Sequence, residues 1–350
     1  MSRHVDVDTV VVGAGPGGLR AAGLLHAAGR SVVVLEARDR VGGRLLSVDL
    51  GGRRLDLGAT WFWPNERRVT ALVAELGLDV FGQHLDGDMM YEPPGGAQRI
   101  EGNQLDVPSG RFVDGAQALP EALARSLPDG VVRFDEPVRA IRGHGEGADV
   151  VTDRSAWTAS HVILAVPPAT AVASIVVEGL DESVAAVAAA TPVWMGGTVK
   201  VVARYERPFW RDAGLAGSAF SHVGPLREIH DMSGRNGTPA ALYGFAQPGG
   251  DAPPPGRDVV VAQLGGLFGP EAAVPADLRI HDWRAEPFTV VPEVLGLSDY
   301  ATYGHRAYQQ PSLGGRLHWA STESAPDAPG HIEGALAAAE RAAAAVMAHG

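Results

Sequence analysis

The sequence has no cysteine at any of its 350 positions. It therefore holds no disulfide, no thiolate metal site and no thiol nucleophile, and no metal centre is expected. It also lacks a basic block. Its 29 Lys and Arg are outnumbered by 41 Asp and Glu, for a formal charge of -12, which argues against nucleic acid as a partner. Long apolar runs are missing too. Residues 1–8 are too short and polar for a signal peptide. The most apolar late stretch, residues 334–347, is interrupted by Glu340 and Arg341 and reads as an amphipathic helix rather than a membrane span. A cytoplasmic protein with no membrane partner is the expectation. No repeat of solenoid period is visible. The length exceeds one typical domain and is enough to bury a large core.

What is present is organised around residues 8–44. Val10, Val11 and Val12 form a β-branched run that reads as a buried parallel strand. Gly13-Ala14-Gly15-Pro16-Gly17-Gly18 follows, with Gly13, Gly15 and Gly18 in G-x-G-x-x-G spacing. Gly13 permits the tight turn, Gly15 lets the backbone approach a pyrophosphate, and Gly18 lets the helix pack close to the strand. Pro16 and Gly17 open that helix, whose free N–H groups and positive dipole end face the phosphates. Val32, Val33, Val34 and Leu35 read as a second strand. It ends at Glu36 and Ala37, where an acid receives ribose hydroxyls. A complete strand, turn, helix, strand and acid indicates dinucleotide binding. Glu36 favours an unphosphorylated ribose, hence FAD or NAD rather than NADP.

The next residues, Arg38-Asp39-Arg40-Val41-Gly42-Gly43-Arg44, resemble the flavin-containing amine oxidases. The resemblance implies FAD, with Arg38, Gly42, Gly43 and Arg44 on its pyrophosphate and adenosine. With no cysteine to tether it, the flavin is expected to be noncovalent. Gly58-Ala59-Thr60-Trp61 matches the turn that runs beside the flavin ring in that family. Val138 falls where relatives pair backbone with adenine, and Ala165 belongs to an Ala-x-Pro-Pro match that ends a strand near the cofactor. Thr322 and Glu323 lie in a match to a Gly-Thr-Glu-Thr turn near the ribityl or phosphate region. Residues 331–336 match a helix start that would aim the Ile332 N–H at the flavin's pyrimidine edge. The implied fold is α/β: a Rossmann-like FAD-binding domain (1–80, 110–190 and 284–350) and a mainly antiparallel β substrate domain (81–109 and 191–283).

Between these motifs the coarse pattern is legible. Residues 45–57 read as a hairpin turning at Gly51-Gly52. Val69, Leu72, Val73 and Leu76 have helical spacing and are stopped by Gly77. A second hairpin flanks Pro93-Pro94-Gly95-Gly96. Residues 115–127 resemble the family's Gly-Gly-x-x-x-Leu helix, which implies a return of the chain to the first domain. Short strands are expected at 131–134, 138–141, 150–152 and 161–166. From 191 to 283, extended segments at 198–205, 240–245, 259–267 and 278–283 suggest an antiparallel sheet, with a surface turn at 247–256.

The implied reaction removes hydride from the carbon beside an amine nitrogen, with dioxygen reoxidising the flavin to give hydrogen peroxide. The partners are therefore a small-molecule substrate, an amine, and dioxygen. Lys200 is the side chain singled out. It resembles the family lysine that reaches flavin N5 through water, and the competing reading is a lysine at a strand's solvent edge. His331 replaces the first of two aromatic rings that frame the amine in relatives. The second falls near Pro292-Glu293, where no aromatic stands. Trp61, Trp63, Tyr243 and Trp283 read equally as pocket or core. Relatives also insert a long helical segment after the position of Tyr91. Without it, water must be excluded by a bulky substrate, by a second subunit in a homodimer, or by the short loop at 95–112. Poor turnover of simple monoamines and preference for a larger substrate, such as a specialised metabolite, is the expectation. The overall length also resembles the renalase-like oxidases of dihydronicotinamides, and a non-enzymatic flavoprotein is the third reading.

Overall fold

The computed structural model describes residues 4–145, 147–249 and 252–349. The valine run near the N-terminus is the centre of the first sheet. Strand β1 (His4–Val12) pairs in parallel with β2 (Val32–Leu35) on one side and β13 (Ala156–Leu164) on the other. The sheet extends through β10 (Val132–Arg133) beyond β2, and through β12 (Gly147–Thr152), β11 (Val138–His144) and β14 (Val176–Glu178) beyond β13. Strand β20 (Leu317–Trp319) also pairs with β13.

Both faces of this sheet are covered, as a parallel core requires. Val11, Val32 and Val34 point into one cluster with helices α1 (Pro16–Ala27), α2 (Arg67–Glu75), α3 (Ala118–Arg125) and α8 (Ile332–Ala348). Val10, Val12, Val33 and Leu35 point the other way, toward α4 (Pro168–Ser174) and α5 (Glu182–Ala189). The two-residue alternation of a strand divides one valine run between two layers.

The second sheet has the order β19 (Asp277–Asp282), β15 (Val199–Tyr205), β18 (Ala240–Ala246), β17 (Leu226–Asp231), β16 (Leu215–Ser221), β7 (Asp88–Glu92), β8 (Gln98–Ile100). It is antiparallel except where β7 runs parallel to β16. Val199, Val201, Ala203 and Tyr205 pack on one face with α6 (Phe209–Asp212) and α7 (Arg257–Phe268). Val202, Tyr243 and Phe245 pack on the opposite face with Leu50, Leu55 and Leu57.

One expected strand is a helix. Residues 259–267 lie in α7, because the side chains that bury there, Val260, Leu264 and Leu267, recur at helical spacing while Val259 is exposed. Packing on the sheet overrides the strand preference of three consecutive valines. The hairpin of β3 (Ser47–Asp49) and β4 (Arg54–Asp56) turns at Gly51 and Gly52. Strands β5 (Trp61–Phe62), β9 (Gly110–Phe112) and β6 (Val80–Gly82) form a small third sheet. The turn expected at 247–256 includes residues 250 and 251, which lie outside the described residues. No helix among the described residues is long and apolar enough to cross a membrane.

Candidate active-site cavity

A single cavity of about 970 Å³ is lined by residues from both large sheets. That is the upper end of the range for ligand pockets, roughly 300–1,000 Å³. Its first part is built on the glycine turn. Gly13, Gly15, Pro16 and Gly17 line it with Glu36, Ala37, Arg38, Gly42, Gly43, Arg44, Val138 and Ala165. Gly18 is not on the wall. A Cβ there would sit 2.0 Å from the Gly13 carbonyl oxygen, so its glycine serves helix-to-strand packing. Gly42 has φ +113, and a Cβ would meet the Leu45 carbonyl oxygen at 2.5 Å.

The Glu36 carboxylate is fixed before any ligand arrives. Oε2 accepts from the Ala14 N–H at 2.7 Å and Oε1 from the Arg38 N–H at 3.0 Å. Each oxygen keeps lone-pair capacity for a further donor. Arg38 pairs with Glu286 at 2.7 Å, donates to Thr289 Oγ1 at 2.9 Å and lies over the Phe288 ring. Glu323 departs from expectation. Its side chain is fully buried and off the wall, in a bidentate pair with Arg44 at 2.5 and 3.1 Å. A buried carboxylate needs a charged, hydrogen-bonded partner, so Glu323 reaches the cavity only through Arg44.

The middle of the cavity is lined by Ala59, Thr60, Trp61, Trp283, Thr322, Ile332 and Lys200. Lys200 is the sole lysine of the chain. It lies on an interior strand, 6% exposed, on the sheet face opposite α7. Its ammonium donates to the Gly58 carbonyl at 2.7 Å and sits 5.6 and 5.3 Å from the Tyr243 and Phe245 ring centres. Burial brings its pKa down to about 7, with the Asp56 carboxylate opposing. Gly58 is itself off the wall, and its carbonyl is what joins the turn to Lys200. Trp283 is anchored through its indole N–H to the Leu57 carbonyl at 2.8 Å. Tyr243 is core, fully buried behind the wall.

His331 is the N-cap residue of α8, with Nδ1 2.7 Å from Glu66 Oε1 and its ring 4.8 Å from Trp63. Glu66 also accepts from the Trp63 backbone N–H at 2.9 Å, so one buried carboxylate holds the His331 ring and the main chain that carries Trp63. Ile332 opens the helix, where the first N–H groups have no intrahelical acceptor. Pro292 and Glu293 are not on the wall; the aromatics that line it near the expected second ring are Trp194 and Phe288. Beyond Trp61 the cavity continues past Phe245, His230, Glu228, Asp106 and Phe220. Sequence reasoning passed over Glu66, Asp106 and His230. Only the acid preceding the α2 pattern carried any signal.

These residues fit an FAD. The glycine turn exposes helix-terminal N–H groups, Glu36 is pre-set at the second strand's end, and the buried Ser321 hydroxyl on the wall lacks a protein partner among the described residues.

The family model described as flavin containing amine oxidoreductase matches residues 97–347, and that of the NAD(P)-binding Rossmann-like domain matches 11–76. The chain is 26% identical over 478 residues to the putrescine oxidase of Kocuria rosea, covering 99% of this chain and 96% of the relative. It is 24% identical over 453 residues to flavin-containing amine oxidase B of Mus musculus, covering 96% and 85%. A structure of wild-type putrescine oxidase bound to putrescine superposes with a TM-score of 0.87 at 23% identity, covering 99% of this chain and 100% of that one. The aligned spans exceed the 350 residues of this chain, so the relatives carry segments that it lacks.

Proposed function

The chain belongs to the family of flavin-containing amine oxidoreductases, and on that premise we propose that it is an FAD-dependent amine oxidase acting on amines larger than simple monoamines. Bound FAD supplies the acceptor for hydride from the carbon beside the amine nitrogen, and dioxygen carries the electrons away as hydrogen peroxide. The observation that carries this reading is the continuity of one cavity from Glu36 to Lys200 and on past Trp61 to Asp106. The glycine turn and Glu36 take the phosphates and ribose; Arg38 and Arg44 support the nucleotide from either side of the 38–44 segment. Trp61, Trp63 and His331 frame the amine. The lone lysine places a positive charge, or a donor of near-neutral pKa, where dioxygen gains negative charge.

The size preference rests on the roof. Leu105, Asp106, Val107 and Ser109 of the short loop after β8 form part of the wall, and Val107 remains 57% exposed. A loop of this size narrows the entrance without sealing it, which favours a substrate bulky enough to exclude water itself. The test is product analysis in air with amines of graded size. Hydrogen peroxide and aldehyde or ketone should form together, with kcat/KM rising from benzylamine to larger amines. If benzylamine turns over at about 10 per second, the median enzyme rate, with micromolar KM, the size preference is wrong. Oxidation of dihydronicotinamides but of no amine would overturn the reaction itself.

A further inference from the structure

The polar end of the cavity beyond Trp61 is a built site that the reaction at the amine carbon does not use. Asp106 comes from the loop after β8, where Asn103 Oδ1 accepts from the N–H groups of Leu105 and Asp106 at 3.2 and 3.1 Å. Its Oδ2 accepts from Asn103 Nδ2 at 2.8 Å and from the Ser218 hydroxyl. Its Oδ1 holds His230 Nδ1 at 2.7 Å. The His230 ring is clamped edge-on between Trp61 at 5.1 Å and Phe245 at 5.7 Å. Every contact of Asp106 thus fixes one ring in one orientation, as second-row carboxylates do for working histidines.

The other ring nitrogen faces Glu228 across a gap longer than a hydrogen bond. Nε2 lies 3.8 Å from Glu228 Oε2, and both residues are on the cavity wall. Burial pulls the imidazolium down, but the hydrogen bond to Asp106 and the negative charges of Asp106 and Glu228 outweigh it and hold the His230 pKa above its ordinary value. In the protonated ring that this favours, Nε2 is a donor standing beside an acceptor. With His230 protonated, the charged side chains on this stretch of wall are His230 and Arg227 against Asp106 and Glu228. The signs balance, so neither a second ammonium nor a carboxylate gains from the field. A neutral group that accepts from one neighbour and donates to the other gains from both.

Resting on the amine-oxidase reading, we propose that His230 and Glu228, with Asp106 as the positioning residue, form a second substrate station that binds a hydroxyl group remote from the oxidised carbon. The substrate class is thus the hydroxylated amines. Trp61, which frames the amine, has its ring 5.1 Å from that of His230, and Lys200 Nζ and the His230 ring lie 5.3 and 5.7 Å from the same Phe245 ring, so the two stations adjoin along one wall and Lys200 is no more than about 11 Å from the second. An amine with a hydroxyl some five or six carbons away spans that distance.

Binding is read on the FAD-loaded enzyme by calorimetry, with ligands that have no hydrogen on the carbon beside nitrogen and so cannot be oxidised. The series is the α,α-dimethyl form of hexylamine, 6-aminohexan-1-ol and 6-aminohexanoic acid, and 1,6-diaminohexane dimethylated at both amine-bearing carbons. The hydroxyl compound should bind at least fivefold tighter than the other three. Glu228→Ala, a change at a half-exposed side chain, should remove most of that advantage without altering the hexylamine value. His230→Phe, checked for an unchanged melting temperature, should remove it entirely. Equal binding of hydroxyl and plain chains, or a preference for the diamine, would overturn the station. Oxidation of the unmethylated parents separates the two readings: if plain amines are oxidised but the hydroxyl gives no gain, only the station fails, and if none is oxidised, the amine-oxidase reading fails.

Discussion

Lys200 concentrates the chemistry at the residue scale. Its strand and flanking motif made it legible in the sequence, but its partner was not. Gly58 lies 142 positions away, and only the folded chain brings its carbonyl to 2.7 Å. The lowered pKa has a sign that stability measurements can read. Below pH 7 folded and unfolded chains both carry the proton, and burying the charge destabilises the fold fully. Between about 7 and the ordinary lysine value only the unfolded chain holds it, so stability rises with pH there. In urea unfolding of the apoprotein, parent stability should rise from pH 6 to pH 9 relative to Lys200→Met, by up to about 3 kcal/mol over the two pH units above 7. Parallel pH profiles would show an unperturbed lysine. In the loaded enzyme the same substitution should leave reduction by substrate nearly unchanged and slow reoxidation by dioxygen clearly.

Glu36 is the second test at this scale. Its place at the end of β2 was readable from the motif; its two backbone donors were not, because Ala14 belongs to the turn and Arg38 to the following loop. Glu36→Ala removes a charge-assisted ligand contact worth about 1.5–3 kcal/mol and also loosens the turn. FAD should dissociate more readily on dilution: at least about tenfold weaker binding is expected, and unchanged occupancy would reduce Glu36 to a strand-end residue.

Among the elements, helix α8 does more than carry His331. Glu333 in its first turn accepts from the N–H groups of Arg68 and Val69 at 3.2 and 3.0 Å, satisfying the start of α2. Glu66, the N-cap of α2, holds His331 in return. The two helix starts are therefore reciprocally tied, and the cavity's amine-framing end hangs on that tie. Glu333→Ala should lower stability by about 1.5–3 kcal/mol, the value of hydrogen bonds to a charged group. It should also raise KM for amines through the loosened Trp63 and His331 pair. An unchanged melting temperature would show that water replaces the carboxylate. The helix periodicity of α2 and α8 was plain in sequence. Helix α7 was not, because three adjacent valines carry a strand preference and only burial on the second sheet shows which of them points inward.

Across the whole molecule, the two sheets share one cavity, and the division of labour between them follows from their residues. The parallel sheet brings β1, β2 and β13 to one edge, where Val12, Leu35, Ala165 and Val166 meet the glycine turn on the wall. The second sheet presents Lys200, Phe245, His230 and Glu228 from one face of three neighbouring strands. The cofactor side was legible because its motif is contiguous over about forty residues of sequence. The polar end was not, since Asp106 and His230 are 124 positions apart and meet only after β7 joins the second sheet through β16.

The central claim is that an amine delivers its electrons to FAD in this cavity, and anaerobic titration of the purified yellow protein tests it most directly. Stepwise addition of a hydroxylated long-chain amine should bleach the visible flavin band to completion with one equivalent per flavin, and admitting air should restore the band and release hydrogen peroxide. A band that no amine bleaches, or that only a dihydronicotinamide bleaches, would contradict the account.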